Sequence, residues 1–254
     1  MRYKNPNIIK VEWDSMNRII VLDLEMPYGA SCSTIHPVVL CDESHRVLVD
    51  CGCVGSLPDL EDALERNNLA PDTITQIILT HQDHDHVGAA AAFRQKHPQV
   101  RIMASAIEAP YISGVKKWLR LEQAEQLQKT LPPEQQAFGE AFCGLLRSVE
   151  PVEIDTPIFE EDLLPFCGGC RVMFTPGHTP GHISLHVPAL QTLISGDAMA
   201  LEDGQPVIAN PQFTLDLEKA DTSLRRLLSF ADTRIICYHG GVFEGNCQQT
   251  PVAP

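Results

Sequence analysis

Six consecutive residues, His81-Gln82-Asp83-His84-Asp85-His86, hold three histidines and two aspartates. Neutral imidazole and carboxylate are the donors that borderline and hard divalent cations take. Residues two apart in an extended segment share a face, so His81 and Asp83 are spaced to grip one ion. A turn into helix would then aim Asp85 and His86 at a second ion beside the first. A polar loop can also carry several His and Asp with nothing to bind, and the cluster alone leaves both readings open. Three further stretches share its form, an apolar run ending in a turn that carries His or Asp. They are Thr175-Pro176-Gly177-His178-Thr179-Pro180-Gly181-His182, Ser195-Gly196-Asp197 and Tyr238-His239-Gly240-Gly241. Glycine in such turns permits positive φ or close backbone approach. Four such sites in one chain are hard to explain as packing.

The elements that must position these residues are read from periodicity. Residues 8–11 and 18–24 read as the first strands. Residues 34–41 and 46–50, joined by Asp42-Glu43-Ser44-His45, read as a hairpin. Ser56 is the expected N-cap of a helix reaching about Asn67, with Pro58 in its first turn. Residues 74–80 form the strand that delivers the His/Asp cluster, and an alanine-rich helix to about His97 leaves it. Residues 101–104 follow as a short strand. From 105 to 149 the pattern is helical. One stripe is Trp118, Leu121, Ala124, Leu127 and Leu131; after Pro132-Pro133 a second is Phe138, Ala141, Phe142, Leu145 and Val149. Both are expected to face a core. Residues 152–154, 171–175, 183–187 and 192–195 read as strands. Residues 216–230 read as an amphipathic helix with Leu217, Ala220, Leu224, Leu227 and Leu228 on one face, and 234–238 as the last strand. Strands followed by alternating helices give a mixed α/β (α+β) class, sheets packed together and covered by helices. With no linker or repeat in view, one domain over 1–254 is expected, carrying a helical insertion at about 105–150.

Composition narrows the function classes. Hydrophobic residues at 44% and charged residues at 20% are those of a soluble globular chain. A net charge of −14 disfavours a nucleic-acid partner. Residues 1–18 are polar with no apolar signal region, and no window approaches the ~18 apolar residues of a membrane span. Nine cysteines, an odd number without a framework, read as reduced thiols. A cytoplasmic protein with no membrane partner is expected. Cys167-Gly168-Gly169-Cys170 has half the spacing of a zinc knuckle, but its only companion is Cys51-Gly52-Cys53, so a turn carrying two thiols is expected. His36, His45, His97 and His186 read as surface or satisfied core residues. Lys116, Lys117 and Arg120 read as a solvated helix face.

In order and spacing, the four strand-end motifs resemble the metallo-β-lactamase superfamily. The first motif, usually His-x-His-x-Asp-His, stands here as His81 to His86 with aspartate at 83, followed by Val87-Gly88. Asp50-Cys51-Gly52 is similar to the family's Asp-Thr-Gly turn. Gly177 to His182, Gly196-Asp197 and His239-Gly240 match the later motifs. The resemblance runs from about Thr34 to Gly241. It implies a four-layer αβ/βα sandwich with two metal ions at one edge. One ion would be held by His81, Asp83 and His178, the other by Asp85, His86 and His239, with Asp197 and a water or hydroxide bridging them. Asp85 and Asp197 would be the catalytic carboxylates, Asp85 orienting the nucleophile or passing a proton to the leaving group. His84 is expected to point away, and His182 to hydrogen-bond rather than ligate. Asp83, Asp85, Asp197 and a hydroxide together carry four negative charges, matching two divalent ions. The extra carboxylate favours iron or manganese somewhat, with zinc kept first.

The resemblance implies a dinuclear metal-dependent hydrolase acting on a small-molecule ester, lactone or thioester, with the insertion shaping an acyl pocket. Glu108-Ala109-Pro110-Tyr111-Ile112 resembles a segment found near quorum-signal lactonases of that superfamily. Alternatives are a di-iron redox protein, supported by Asp83, and a phosphodiesterase, disfavoured by the acidic balance. Homodimers are common in the superfamily.

Overall fold

The computed structural model describes residues 17–28, 31–230 and 233–244. The strand expected at 8–11 lies outside them. Two six-stranded sheets carry the fold. The first runs Arg18–Val21, Val38–Cys41, Arg46–Val49, Gln76–Leu79, Arg101–Ser105, Thr156–Ile158. The second runs Gly241–Phe243, Arg234–Cys237, Thr192–Ile194, Ile183–Val187, Cys170–Phe174, Leu163–Leu164.

The layering follows from the two-residue period of the strands. In Val38–Cys41, Val38 and Leu40 enter the core between the sheets, where they meet Val172, Leu185 and Ile236. Val39 and Cys41 point the other way, onto a core built with Leu60, Leu64 and Phe93 of the Leu57–Arg66 and Ala90–Lys96 helices. The second sheet repeats the pattern. Met173, Leu193 and Ile235 turn outward onto Leu224 and Leu227 of the Leu217–Leu228 helix. Helix, sheet, sheet, helix is the expected sandwich. Among the described residues no helix is long and apolar enough to cross a membrane.

The hairpin over 34–50 is present, pairing Val38–Cys41 with Arg46–Val49. Several other expectations need correction. The strands expected at 18–24 and 34–41 are each broken, at Leu22-Asp23 and His36-Pro37. Their outer parts form a separate ribbon, Leu24–Tyr28 with Ser31–Ile35. Residues 152–154 are not a strand. Asp155 exchanges bonds with Ile102, its own N–H donating to the Ile102 carbonyl and its carboxylate accepting the Ile102 N–H, and regular pairing starts at Thr156. Ser56 precedes its helix, but its hydroxyl donates back to the Cys53 carbonyl instead of capping. The strand at Arg234–Cys237 is followed by another, Gly241–Phe243. Leu217 is exposed.

The insertion contains helices Ala109–Ile112, Leu119–Gln128 and Gln136–Arg147. Its second stripe faces a core only in part: Val149 is buried and Phe142 packs on the helix pair, but Phe138 is 74% exposed and Leu145 is 40% exposed. The buried positions within Gln136–Arg147 are Gly139, Cys143 and Leu146. At Gly139 an added Cβ would lie 1.9 Å from Gln128 Oε1. The two longer helices therefore meet through small residues, which hydrophobicity alone does not flag. Leu121 and Ala124 of the first stripe are buried against Cys143 and Leu146, whereas Leu127 is exposed.

Candidate metal centre

The four motifs leave strand ends at one edge of the sandwich. Gln76–Leu79 runs into Thr80 and the His81–Asp83 loop, and the short His84–Val87 helix follows. Cys170–Phe174 leads to His178, Thr192–Ile194 to Asp197, and Arg234–Cys237 to His239. The Ile183 N–H donates to the Thr80 carbonyl at 3.1 Å, pinning the two sheets together there. Glycines set two approaches. A Cβ on Gly88 would lie 2.2 Å from the Val54 nitrogen, so only glycine lets the first-motif helix rest on that backbone. Gly177, at φ +136°, brings the His178 turn equally close to Ala220.

The seven sequence-predicted residues converge. Donor atoms of His81, Asp83 and His178 lie within 4.8 Å of one another, as do those of Asp85, His86 and His239, and those of His81, His86 and Asp197. Asp197 stands between the two triads. Its Oδ1 is 3.2 Å from His86 Nε2 and 3.5 Å from His239 Nε2, while its Oδ2 is 3.5 Å from His178 Nε2.

Residues behind the cluster fix which nitrogen of each imidazole faces inward. His86 Nδ1 donates to Asp50 Oδ2 at 2.8 Å. The Thr80 hydroxyl donates to the same carboxylate and accepts from His81 Nδ1 at 3.0 Å. His178 Nδ1 faces the Thr214 hydroxyl, which in turn donates to the Ala209 carbonyl. In all three rings the Nε2 lone pair is left pointing into the cluster. The Tyr238 hydroxyl donates to the Asp85 carbonyl at 2.6 Å, and its ring packs on His86.

The donor set fits divalent cations. His81 Nε2, Asp83 Oδ1, His86 Nε2, Asp197 Oδ1 and His239 Nε2 are buried without a hydrogen-bond partner. Each such atom costs ~1–3 kcal/mol. A cation is a partner that several converging lone pairs can share. Charge follows the same pattern. Burial pushes the Asp197 carboxyl up, but His239 and His86 outweigh it and hold it well below the usual carboxylate range. Burial opposes protonation of His86, yet Asp197, Asp50 and Asp85 raise its pKa well above the ordinary value. The negative potential that draws a proton there also suits a divalent ion.

Other residues are as expected. His84 joins none of the three groups; its Nδ1 lies 3.5 Å from Asp85 Oδ1 and its ring is 5.8 Å from Phe142. His182 accepts the Asp197 N–H at 2.9 Å on Nε2 and bonds Thr175 through Nδ1. His36, His45 and His97 pair with Asp23, Asp42 and Glu61, and His186 packs on Phe230. Cys167 and Cys170 are free thiols outside the donor groups, in a turn held by Asp42.

Arg120 is a correction. It does not lie on a solvated face, as Lys116 and Lys117 do, but is buried against Asp83. Its Nε and Nη2 donate to Asp83 Oδ2 at 3.0 and 2.5 Å. Sequence reading gave no site role to Asp50, Thr80, Tyr238 or Glu108 either. Glu108 accepts from the Gln82 amide and from the Gly181 N–H, tying the first motif to the second. For Asp50 the signal was available, a carboxylate at the end of an apolar strand. For Arg120 it was not.

The family model for the metallo-β-lactamase superfamily matches residues 33–239. The chain belongs to that superfamily. A probable metallo-hydrolase of Bacillus subtilis, YflN, is 26% identical over 82% of this chain and 80% of its own length. The hydroxyacylglutathione hydrolase of Synechococcus is 27% identical, over 66% of this chain and 51% of its own. Among solved structures, the metallo-β-lactamase family protein TTHA1429 of Thermus thermophilus superposes with a TM-score of 0.69 at 22% identity, covering 91% of this chain and 76% of the other. AidC, a dizinc quorum-quenching lactonase, gives 0.58 at 18% over 84% and 75%. TTHA1623, solved in a di-iron-bound form, gives 0.61 at 22% over 89% and 95%. These structures share the metallo-β-lactamase fold with this chain.

Proposed function

We propose that this metal-dependent hydrolase cleaves a small ester, lactone or thioester. Its two divalent ions, zinc first with iron or manganese as alternatives, would be held by His81, Asp83 and His178 and by Asp85, His86 and His239, with Asp197 shared. The position of Asp197 carries the reading. One carboxylate oxygen faces each triad, an arrangement that would let Asp197 serve both ions. Two ions bound there would lower the pKa of a water and polarise the oxygen under attack.

The chain's own residues supply the rest. Asp85 orients the water and passes a proton to the leaving group; His239 Nε2 lies 3.3 Å from its Oδ2 and His84 Nδ1 lies 3.5 Å from its Oδ1. The insertion provides an apolar wall, with the Phe142 ring 5.8 Å from both His84 and Phe213. That wall suits an acyl chain. The lactonase and the hydroxyacylglutathione hydrolase are named for acyl bonds, which supports the same class. The redox alternative rests on Asp83 as a hard carboxylate donor; Arg120 offsets its charge and leaves the donor type unchanged.

The test is proton release at neutral pH from a panel of lactones, thioesters, aryl esters and phosphodiesters, with Asp197→Asn as control. Release from one acyl class, lowered about a thousandfold in the variant, is the expected result. Silence across the panel from protein carrying two metals would sink the hydrolase reading, as would an unchanged rate in the variant.

A further inference from the structure

Arg120 is 4% exposed, a rare state for arginine, and its burial is explained by oxygen acceptors for four of its five N–H donors. Nε and one Nη2 hydrogen go to Asp83 Oδ2, and Nη2 also lies 3.3 Å from His178 Nε2. Nη1 donates to the Phe213 carbonyl and to the Gln123 amide, and the guanidinium sits over the Phe213 ring at 5.2 Å. The preceding residue is fixed as well, the Leu119 N–H donating to Gln82 Oε1 at 2.7 Å. Two consecutive residues at the start of the Leu119–Gln128 helix thus hold two consecutive residues of the first motif.

We infer that Arg120 is a positioning residue whose charge makes Asp83 electrostatically equivalent to a histidine, so that the insertion sets the metal affinity of the first triad. The inference rests on the metal-centre reading above. Asp83 with Arg120 sums to zero, as a neutral imidazole alone does. The four negative charges counted from the sequence therefore fall to three once the guanidinium is included. A cation buried beside the triad opposes a divalent ion there, and an unpaired carboxylate attracts it, because charges interact strongly where water is excluded.

The sign of the change distinguishes this from a purely structural contact. Metal affinity is measured by competition of zinc with a chromophoric chelator, with bound metal counted by elemental analysis. Arg120→Met leaves a net charge of −1 at the pair and should tighten the weaker or first-triad zinc by about tenfold or more. Asp83→His leaves +1 and should weaken it by a similar factor. The double variant, Asp83→His with Arg120→Met, is again neutral and should return to within a few-fold of wild type. Arg120→Lys keeps the charge without the fork and should stay near wild type even if Arg120→Met fails to fold. Loss of affinity in Arg120→Met together with no recovery in the double variant would overturn the inference while leaving the two-metal centre intact. Wild-type protein that takes up no zinc would overturn both.

Discussion

His86 and Asp83 stand only three residues apart, yet they lean on different parts of the molecule. Behind His86 stands Asp50, at the end of a core strand, and Tyr238, at the end of another. Behind Asp83 stands Arg120, from a helix inserted between two strands of the first sheet. The triad of Asp85, His86 and His239 is braced by the framework and opens slightly to solvent at His239, whose side chain is 18% exposed. The triad of His81, Asp83 and His178 is closed, with no side chain more than 7% exposed, and is partly braced by the insertion. One half of the centre is thus tied to the strand ends. The other can change with the insertion, whose Phe142 ring lies 5.8 Å from His84.

The comparison breaks first at Asp50. This carboxylate accepts from the Thr80 N–H, the Thr80 hydroxyl and His86 Nδ1, all at 2.8 Å. Asparagine has the same shape but only one acceptor oxygen, so either orientation sets an NH2 against a donor. The relief available is for His86 to move its proton to Nε2, which removes the lone pair facing the cluster. Asp50→Asn is expected to lower hydrolysis by about 100-fold and metal affinity by about 10–100-fold, with one metal retained. Retention of both metals at wild-type affinity would show that the framework does not hold this triad.

How much of this was legible follows the same division. The seven donor residues sit in short motifs at strand ends, where residue type and spacing carry the information, and the structure brings all of them together. The sheets were legible where alternation is clean, as in Val38–Cys41 against Arg46–Val49. The insertion was read as helical and Leu121, Ala124 and Val149 are buried as expected, but Gly139 and Cys143 make the helix contact while Phe138 stays in solvent. Arg120 was missed as well. An arginine 37 residues from its partner, on a helix beside two lysines, has the sequence signature of a solvated face. Its burial depends on a docking geometry that periodicity does not encode.

A smaller effect is expected at Gln82, which joins the insertion to the motif loop. Its amide donates to Glu108 and accepts the Leu119 N–H. Gln82→Ala leaves both groups short of a partner and should cost about 1–3 kcal/mol of stability. Metal affinity should move only a few-fold, because the charge balance of the Arg120–Asp83 pair is unchanged. A loss of metal as large as that in Asp50→Asn would mean that the insertion braces the centre through the loop backbone rather than through the guanidinium.

The smallest effect on the centre should come from Asp155, far along the sheet from both triads. It accepts from Arg94 at 2.6 and 3.0 Å and from the Ile102 N–H at 2.8 Å, tying the Ala90–Lys96 helix to the sheet. Burial raises its carboxyl pKa, but the Arg94 and Ile102 bonds outweigh this and hold it below the ordinary value. A depressed carboxyl pKa stabilises the fold above the unfolded value, about 3.9, and the contribution is lost as the pH falls through the folded value. Asp155→Ala should therefore lower stability by about 2 kcal/mol at neutral pH, a Tm drop of about 5 °C. The gap from wild type should narrow below about pH 4, as read by thermal melts across that range. Metal affinity and hydrolysis at neutral pH should stay at wild-type values. Were they to fall with stability, the losses at Asp50 and Gln82 would reflect general loosening of the sandwich, and the contrast between a framework-held and an insertion-held triad would have no basis.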